Sequence, residues 1–277
     1  MIAVKNYLIH NGKTISTSDE AIAKLLKKGS VYEVFRVIGG VPLFFEEHIS
    51  RMYQSAELTG IELCLAENQI KRLLQELMDV NGEYNSNVKL LFSEGGSSYY
   101  LYFIHTFYPT PEMYQQGIHT VIYDVERYNP NAKINNYQLR EDIRLYREKR
   151  GAYEALLVNG NQLITEGSRS NIFFVNGSSL YTAPHNRVLM GITRSKVIEV
   201  AEMLSIPVHE AQISVADLGL FNGAFITSTS NSVLPVSSID TISYQSAANT
   251  VITKVKAAYE QEVSAYVAHN KQIFDTL

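Results

Sequence analysis

The heptad Asn131-Ala132-Lys133-Ile134-Asn135-Asn136-Tyr137 sets a lysine just ahead of Leu139, Ile143 and Tyr146, whose spacing predicts a helix, and no carboxylate follows it before Glu141. A lysine so placed can be drawn into a pocket, lose its proton and act as an amine nucleophile, as Schiff-base chemistry demands. By itself the heptad equally describes an exposed loop lysine. Five other stretches change that balance: Val31-Tyr32-Glu33-Val34-Phe35-Arg36, His48-Ile49-Ser50-Arg51, Thr165-Glu166-Gly167-Ser168-Arg169-Ser170-Asn171-Ile172-Phe173-Phe174, Gly191-Ile192-Thr193-Arg194, and Thr227-Ser228-Thr229-Ser230-Asn231.

Helix N-termini bind anions, because their first amides are unpaired and the helix dipole puts positive charge there. Gly191-Ile192-Thr193 is such a start, and the stripe Val197, Ile198, Val200, Ala201 and Leu204 follows it. Arg51 sits on a helix predicted from Ile49, Met52, Tyr53 and Ala56, and a guanidinium grips phosphate with two prongs where lysine offers one. Each feature alone has an ordinary reading: a helix cap, a solvated arginine, a surface acid, a turn. Together an amine, an acid beside a glycine turn, a helix start, a hydroxyl cluster and an arginine are what a pyridoxal phosphate site requires. No spacing of His, Cys and Asp suggests a metal, and neither a Gly-x-Ser-x-Gly elbow nor a P-loop occurs.

In this order, from about Ser30 to Ile239, the blocks resemble the fold type IV, or class IV, aminotransferases. That family holds branched-chain amino acid aminotransferases, D-amino acid transaminases and aminodeoxychorismate lyases. The resemblance implies a two-domain α/β fold, with an α+β first domain and an α/β second domain, and pyridoxal 5'-phosphate as cofactor. It implies Lys133 as the catalytic residue, bound to the cofactor as a Schiff base and later moving the proton at the substrate Cα as base and acid. Glu166 matches the acid that keeps the pyridine nitrogen protonated, so that the ring acts as an electron sink. Arg51, the amides of Ile192 and Thr193, and the hydroxyl positions Thr229 and Ser230 match the phosphate ligands. Tyr137 either donates to the ring hydroxyl or packs as core. A homodimer, the partner's first domain completing the substrate pocket, is implied by the same likeness.

Substrate choice turns on how the carboxylate is caught. D-amino acid transaminases carry an Arg-x-His pair where this chain has Ser97-Ser98-Tyr99-Tyr100-Leu101, and the lyases carry a threonine where Val34 stands. Branched-chain enzymes carry an arginine that aligns with Lys89, keep one at Arg36 and have an aromatic at Tyr32. Tyr32 and Arg36 also share one face of a predicted strand. Tyr32, Arg36 and Lys89 are therefore the substrate-binding candidates, for a small, branched-chain-like L-amino acid and a 2-oxo acid acceptor. The chain departs from the branched-chain pattern in the spacing of Lys133 to Asn136-Tyr137 and in Lys28-Gly29-Ser30, where Gly-Asp-Gly is usual. A 4-amino-4-deoxychorismate lyase and a catalytically idle protein with the same cleft are the alternatives.

With 277 residues and 45% hydrophobic content the chain can bury one large core or two ordinary ones. A net charge of -4 gives no basic footprint, which argues against nucleic acid and anionic membrane as partners. No apolar run nears the roughly 18 residues of a membrane span. The single cysteine, Cys64 between two leucines, suits a reducing cytoplasm and reads as core. The pattern predicts a first domain over 1–107, a proline-bearing linker over 108–117 and a cofactor-binding domain over 118–277. In the first, Asn11-Gly12 joins strands over 2–9 and 13–15. Ser18-Asp19-Glu20 starts a helix that Gly29 stops. Strands over 31–38 and 41–45 precede helices ending at Gly60 and Asn81-Gly82, and Glu94 to Ser98 link strands over 88–92 and 99–107. In the second, strands over 118–124, 153–158, 162–164, 171–175 and 223–228 mix with helices over 137–149, 193–205 and 250–268.

Overall fold

The computed structural model describes residues 3–18, 20–28, 30–93 and 95–275. They form two compact units: Met1–Phe107 with Ala132–Tyr137 and Glu262–Leu277, and Tyr108–Asn131 with Gln138–Gln261. The expected contributions of Ile2, Asp19, Gly29 and Glu94 to strand, helix ends and loop lie outside the described residues.

The first unit runs β1 (Tyr7–His10), β2 (Lys13–Ser16), α1 (Glu20–Leu25), β3 (Tyr32–Ile38), β4 (Val41–Pro42), α2 (Phe45–Thr59), α3 (Glu67–Asn81), β5 (Asn87–Phe92) and β6 (Tyr99–Phe103). Asn11 and Gly12, at φ 48° and 73°, supply the two left-handed positions that a tight hairpin with the right twist needs. Six strands in the order β2-β1-β6-β5-β3-β4 make one antiparallel sheet. The strand expected over 41–45 ends at Pro42, because proline offers no N–H to extend the ladder. Phe44 then turns at φ 51° and α2 begins. The apolar stripes of α2 (Ile49, Met52) and α3 (Ile70, Leu74, Leu77, Met78) cover Phe35, Val37, Val88 and Leu90 to form the core. Cys64, expected inside, is exposed.

The second unit contains α4 (Pro111–Gln116), β7 (Ile118–Asp124), α5 (Tyr137–Lys149, its first residue in the first unit), β8 (Glu154–Val158), β9 (Leu163–Gly167), β10 (Asn171–Asn176), β11 (Ser179–Thr182), α6 (Ile192–Met203), β12 (Val208–Glu210), β13 (Ile213–Ser214), β14 (Gly223–Ser228), β15 (Ser232–Ile239), β16 (Ile242–Ser243) and the opening turns of α7 (Thr250–Asp275), whose part from Glu262 onward belongs to the first unit. Where a linker was expected, Thr110 caps α4 by accepting the Met113 N–H, and Pro111 takes the first helical position, where a missing N–H is harmless. Ten strands form a mixed sheet, β12-β11-β10-β14-β15-β7-β8-β9-β13, with β16 beside β15. Strand β15 crosses its middle although Pro235 interrupts its apolar run. Ile172, Phe174, Ala224, Ile226, Leu234 and Val236 fill one face of it. Helix α7 runs past the expected 268, and Tyr266, Val267 and Phe274 on it pack into the first unit's core.

Candidate functional site

Lys133 lies in a short extended segment that the first unit grips by its backbone. The Tyr32 N–H donates to the Lys133 carbonyl at 3.2 Å, the Asn135 N–H donates to the Ser30 carbonyl at 2.8 Å, and Val31 bridges to Ile134. From α2, the fully buried Ser55 hydroxyl accepts the Lys133 N–H at 3.1 Å and donates to the Arg51 carbonyl at 2.9 Å. The half-buried side chain is thus presented from a pinned backbone. Tyr32 is its wall. Lys133 Nζ lies 5.0 Å from the tyrosine ring centroid, and Lys89 Nζ lies 4.2 Å from the same centroid, both within cation–π reach. Lys89 also donates to Asn135 Oδ1 at 2.8 Å. Register explains the meeting: Lys89 pairs with Val34, two residues from Tyr32, and alternation puts all three on one face. Arg36 continues that face, but four residues of strand, roughly 13 Å, separate it from Tyr32.

Glu33 projects from the opposite face of β3, toward α2. Its carboxylate accepts from Arg51 Nε at 2.8 Å, Arg51 Nη2 at 2.7 Å and His48 Nδ1 at 2.8 Å. Burial alone would raise its pKa; the Arg51 charge and the hydrogen bonds from His48 and Arg51 overcome that and hold the carboxyl well below its usual range. Burial pushes the His48 pKa down, so a neutral ring donates its Nδ1–H to Glu33 at pH 7. Arg51 is 6% exposed, which removes the reading of a solvated arginine. Tyr137 is exposed at the start of α5 with Lys27 Nζ 4.9 Å over its ring, so it is not a core residue.

In the second unit Glu166 is buried on β9. One of its oxygens accepts from Arg127 Nη1 and the other accepts the Leu189 N–H at 3.0 Å. The Leu189 carbonyl in turn accepts from Asn171 Nδ2 at 2.9 Å and from the Gly191 N–H at 2.8 Å. The turn into α6 is therefore clamped from two strands. No side chain caps α6 at Gly191, and Ile192 and Thr193 open it as buried residues at its positive end. Thr229 and Ser230, half-buried, occupy the turn between β14 and β15. A Cβ on Gly191 would meet Asn171 Oδ1 at 2.2 Å. Gly191→Ala is accordingly expected to push the Asn171 amide off Leu189 and destabilise the protein by about 1–3 kcal/mol, read as a lower Tm; an unchanged Tm would show that the clamp is dispensable.

Sequence reasoning overlooked Glu33, Ser55, Arg127 and Leu189. An acid within an apolar strand is a usable sign of a buried pair, and Glu33 carried it. Ser55 works through the backbone of a distant segment and Leu189 through its own backbone, so residue type held no signal for either. Among the described residues no group of His, Cys, Asp and Glu could hold a metal, and no helix is long and apolar enough to cross a membrane.

The profile of the class IV amino-transferases matches residues 30–239, most of the chain. This chain belongs to the class IV aminotransferases. The enzyme is 29% identical over 280 residues to the D-alanine aminotransferase of Bacillus licheniformis, covering 94% of this chain and 98% of that one. It is 31% identical over 219 residues to a protein of Thermotoga maritima named probable branched-chain-amino-acid aminotransferase, covering 76% and 77%. Among solved structures, the T.th. branched-chain amino acid aminotransferase with pyridoxamine 5'-phosphate superposes with a TM-score of 0.83 at 23% identity, over 95% of this chain and 96% of the other. The Escherichia coli branched-chain enzyme gives 0.79 at 21%, with the same coverage, and both show the fold type IV architecture. The aminotransferase is a pyridoxal phosphate-dependent transaminase. Each unit holds groups of the kind that cofactor takes: the first an amine beside an aromatic wall and a buried arginine, the second a buried carboxylate fixed on both oxygens and an uncapped helix start.

Proposed function

We propose that this aminotransferase draws its amino group from a branched-chain-like L-amino acid and passes it to a 2-oxo acid, with Lys133 as the catalytic residue. Pyridoxal phosphate supplies an electron sink for the charge left at the substrate Cα. Lys133 is the residue whose Nζ would hold the cofactor through its aldehyde, and the same amine would take the proton from the substrate Cα and hold it for return. Glu166 holds the proton on the pyridine nitrogen, its own oxygens oriented by Arg127 and the Leu189 N–H. Arg51, the Ile192 and Thr193 amides, Thr229 and Ser230 bind the phosphate, and Tyr137 orients the ring hydroxyl. Tyr32, Arg36 and Lys89 bind the substrate carboxylate. A homodimer and a cytoplasmic location belong to the same reading; the family likeness supports the first and the lone cysteine suits the second.

The observation that carries the substrate choice is the placement of two ammonium groups on one tyrosine: the nucleophile at 5.0 Å and, at 4.2 Å, a cation where branched-chain enzymes carry arginine. A carboxylate bound at Lys89 is then held beside the amine that must reach its Cα. The test is the single-turnover absorbance change of the cofactor-loaded enzyme with L-leucine, L-valine, L-glutamate, D-alanine and an aryl amine. L-branched donors are expected to react fastest. A response to D-alanine alone, or pyruvate release from aminodeoxychorismate without amino transfer, would replace this reading.

A further inference from the structure

Thr227, on β14, is 1% exposed, and its hydroxyl has no hydrogen-bond partner among the described residues. Buried hydroxyls are nearly always paired, so such an orphan marks a place where a ligand atom or ordered water belongs. Its direction follows from register. Thr227 lies opposite Asn171 in the β10–β14 ladder, and directly paired residues of antiparallel strands put their side chains on the same face. The Asn171 side chain is at the start of α6, with Nδ2 on the Leu189 carbonyl and Oδ1 against Gly191. Helix α6 packs on β14. The unpaired hydroxyl is therefore on the side of the sheet where the first amides of α6 stand without a side-chain cap. An uncapped helix start favours an anion, and a buried hydroxyl beside it is a ready donor.

We propose that Thr227 Oγ1 donates a hydrogen bond to the cofactor phosphate, as a binding residue on β14 additional to the α6 amides and to the turn of Thr229 and Ser230. The inference rests on the placement of that phosphate at α6. It is tested on the full chain freed of cofactor, by calorimetric titration with pyridoxal 5'-phosphate, pyridoxal and inorganic phosphate. Thr227→Val keeps the shape and removes the donor; Thr227→Ser keeps the donor. In Thr227→Val, pyridoxal phosphate and inorganic phosphate are expected to bind roughly tenfold more weakly, as for loss of a hydrogen bond to a charged group, while pyridoxal binds as before. The same variant without ligand is expected to melt no lower than the parent, since an unpaired buried hydroxyl has been replaced by an apolar isostere. Thr227→Ser is expected to stay near parental affinity. Parental affinity in Thr227→Val would mean that the hydroxyl serves at most an ordered water, and equal weakening of all three ligands would mark a purely structural role; either overturns the proposal. If the parent protein itself binds pyridoxal phosphate no better than pyridoxal, the phosphate placement fails instead, which is a separate result.

Discussion

Lys133→Met is expected to lower amino transfer by about 10^4-fold, the upper range for loss of a positioned proton carrier, and to leave the fold intact. The backbone of residue 133 is held by the Tyr32 N–H, the Ser55 hydroxyl and the Val31–Ile134 bridge, none of which involves its side chain. Methionine keeps the apolar stem against Tyr32, so Tm should stay within a degree or two of the parent. Lys133→Arg is the sharper control. It preserves the positive charge, but a guanidinium does not give up its proton near neutral pH and cannot act as base. Both variants should therefore be inactive, and borohydride reduction in the presence of pyridoxal phosphate should label the peptide containing position 133 in the parent alone. Amino transfer by Lys133→Met within tenfold of the parent would remove Lys133 from the chemistry.

Glu33→Gln is expected to cost about 3–5 kcal/mol of stability, because it leaves the Arg51 charge buried without its carboxylate. For a chain of this size that corresponds to a fall in Tm of roughly 10 °C. Glutamine can still accept one hydrogen bond, but it offers neither the second carboxylate oxygen nor the charge that Arg51 Nε and Nη2 share. The pH dependence follows from the direction of the shift. The folded-state pKa of Glu33 lies below its ordinary value of 4.5, so the pair contributes in full above that value and loses its contribution as pH falls from there through the folded pKa. The stability gap between parent and Glu33→Gln should therefore be widest near neutrality and narrow on acidification below about pH 4.5, in urea unfolding followed by circular dichroism. A gap that is constant from pH 7 to pH 3 would show that the charge is not what stabilises the cluster.

The elements that position these residues were legible where local chemistry and periodicity agree. Asn11-Gly12 marked its hairpin because only left-handed positions close a turn that tight, and the stripe of α3 marked a helix because it repeats at 3.6 residues. The amine, the acid and the uncapped helix start could be picked out because each is a residue type with a chemical consequence. What stayed hidden depends on pairing across distance. Strand β15 was missed because Pro235 reads as a breaker, and α4 because two prolines read as a linker although one of them opens the helix. Cys64 was misplaced because its two leucine neighbours do pack inward, Leu65 into the core and Leu63 against it, while the cysteine between them faces out. Thr227 looked like one more hydroxyl in a polar turn; its burial and the lack of a partner for it among the described residues distinguish it from half-buried Ser228, whose hydroxyl accepts the Asn231 N–H.

The first unit's interior is completed by Tyr266, Val267 and Phe274, with the Tyr266 hydroxyl accepting the Phe45 N–H at 2.9 Å and donating to Glu46. As the polypeptide emerges from the ribosome, more than 160 residues separate β6 from Phe274. The sheet made earliest must therefore wait, with Phe44 and Phe45 uncovered, until nearly all of the chain has been translated, and a message cut short before codon 262 yields a product with an open hydrophobic seam for chaperones and proteases to find.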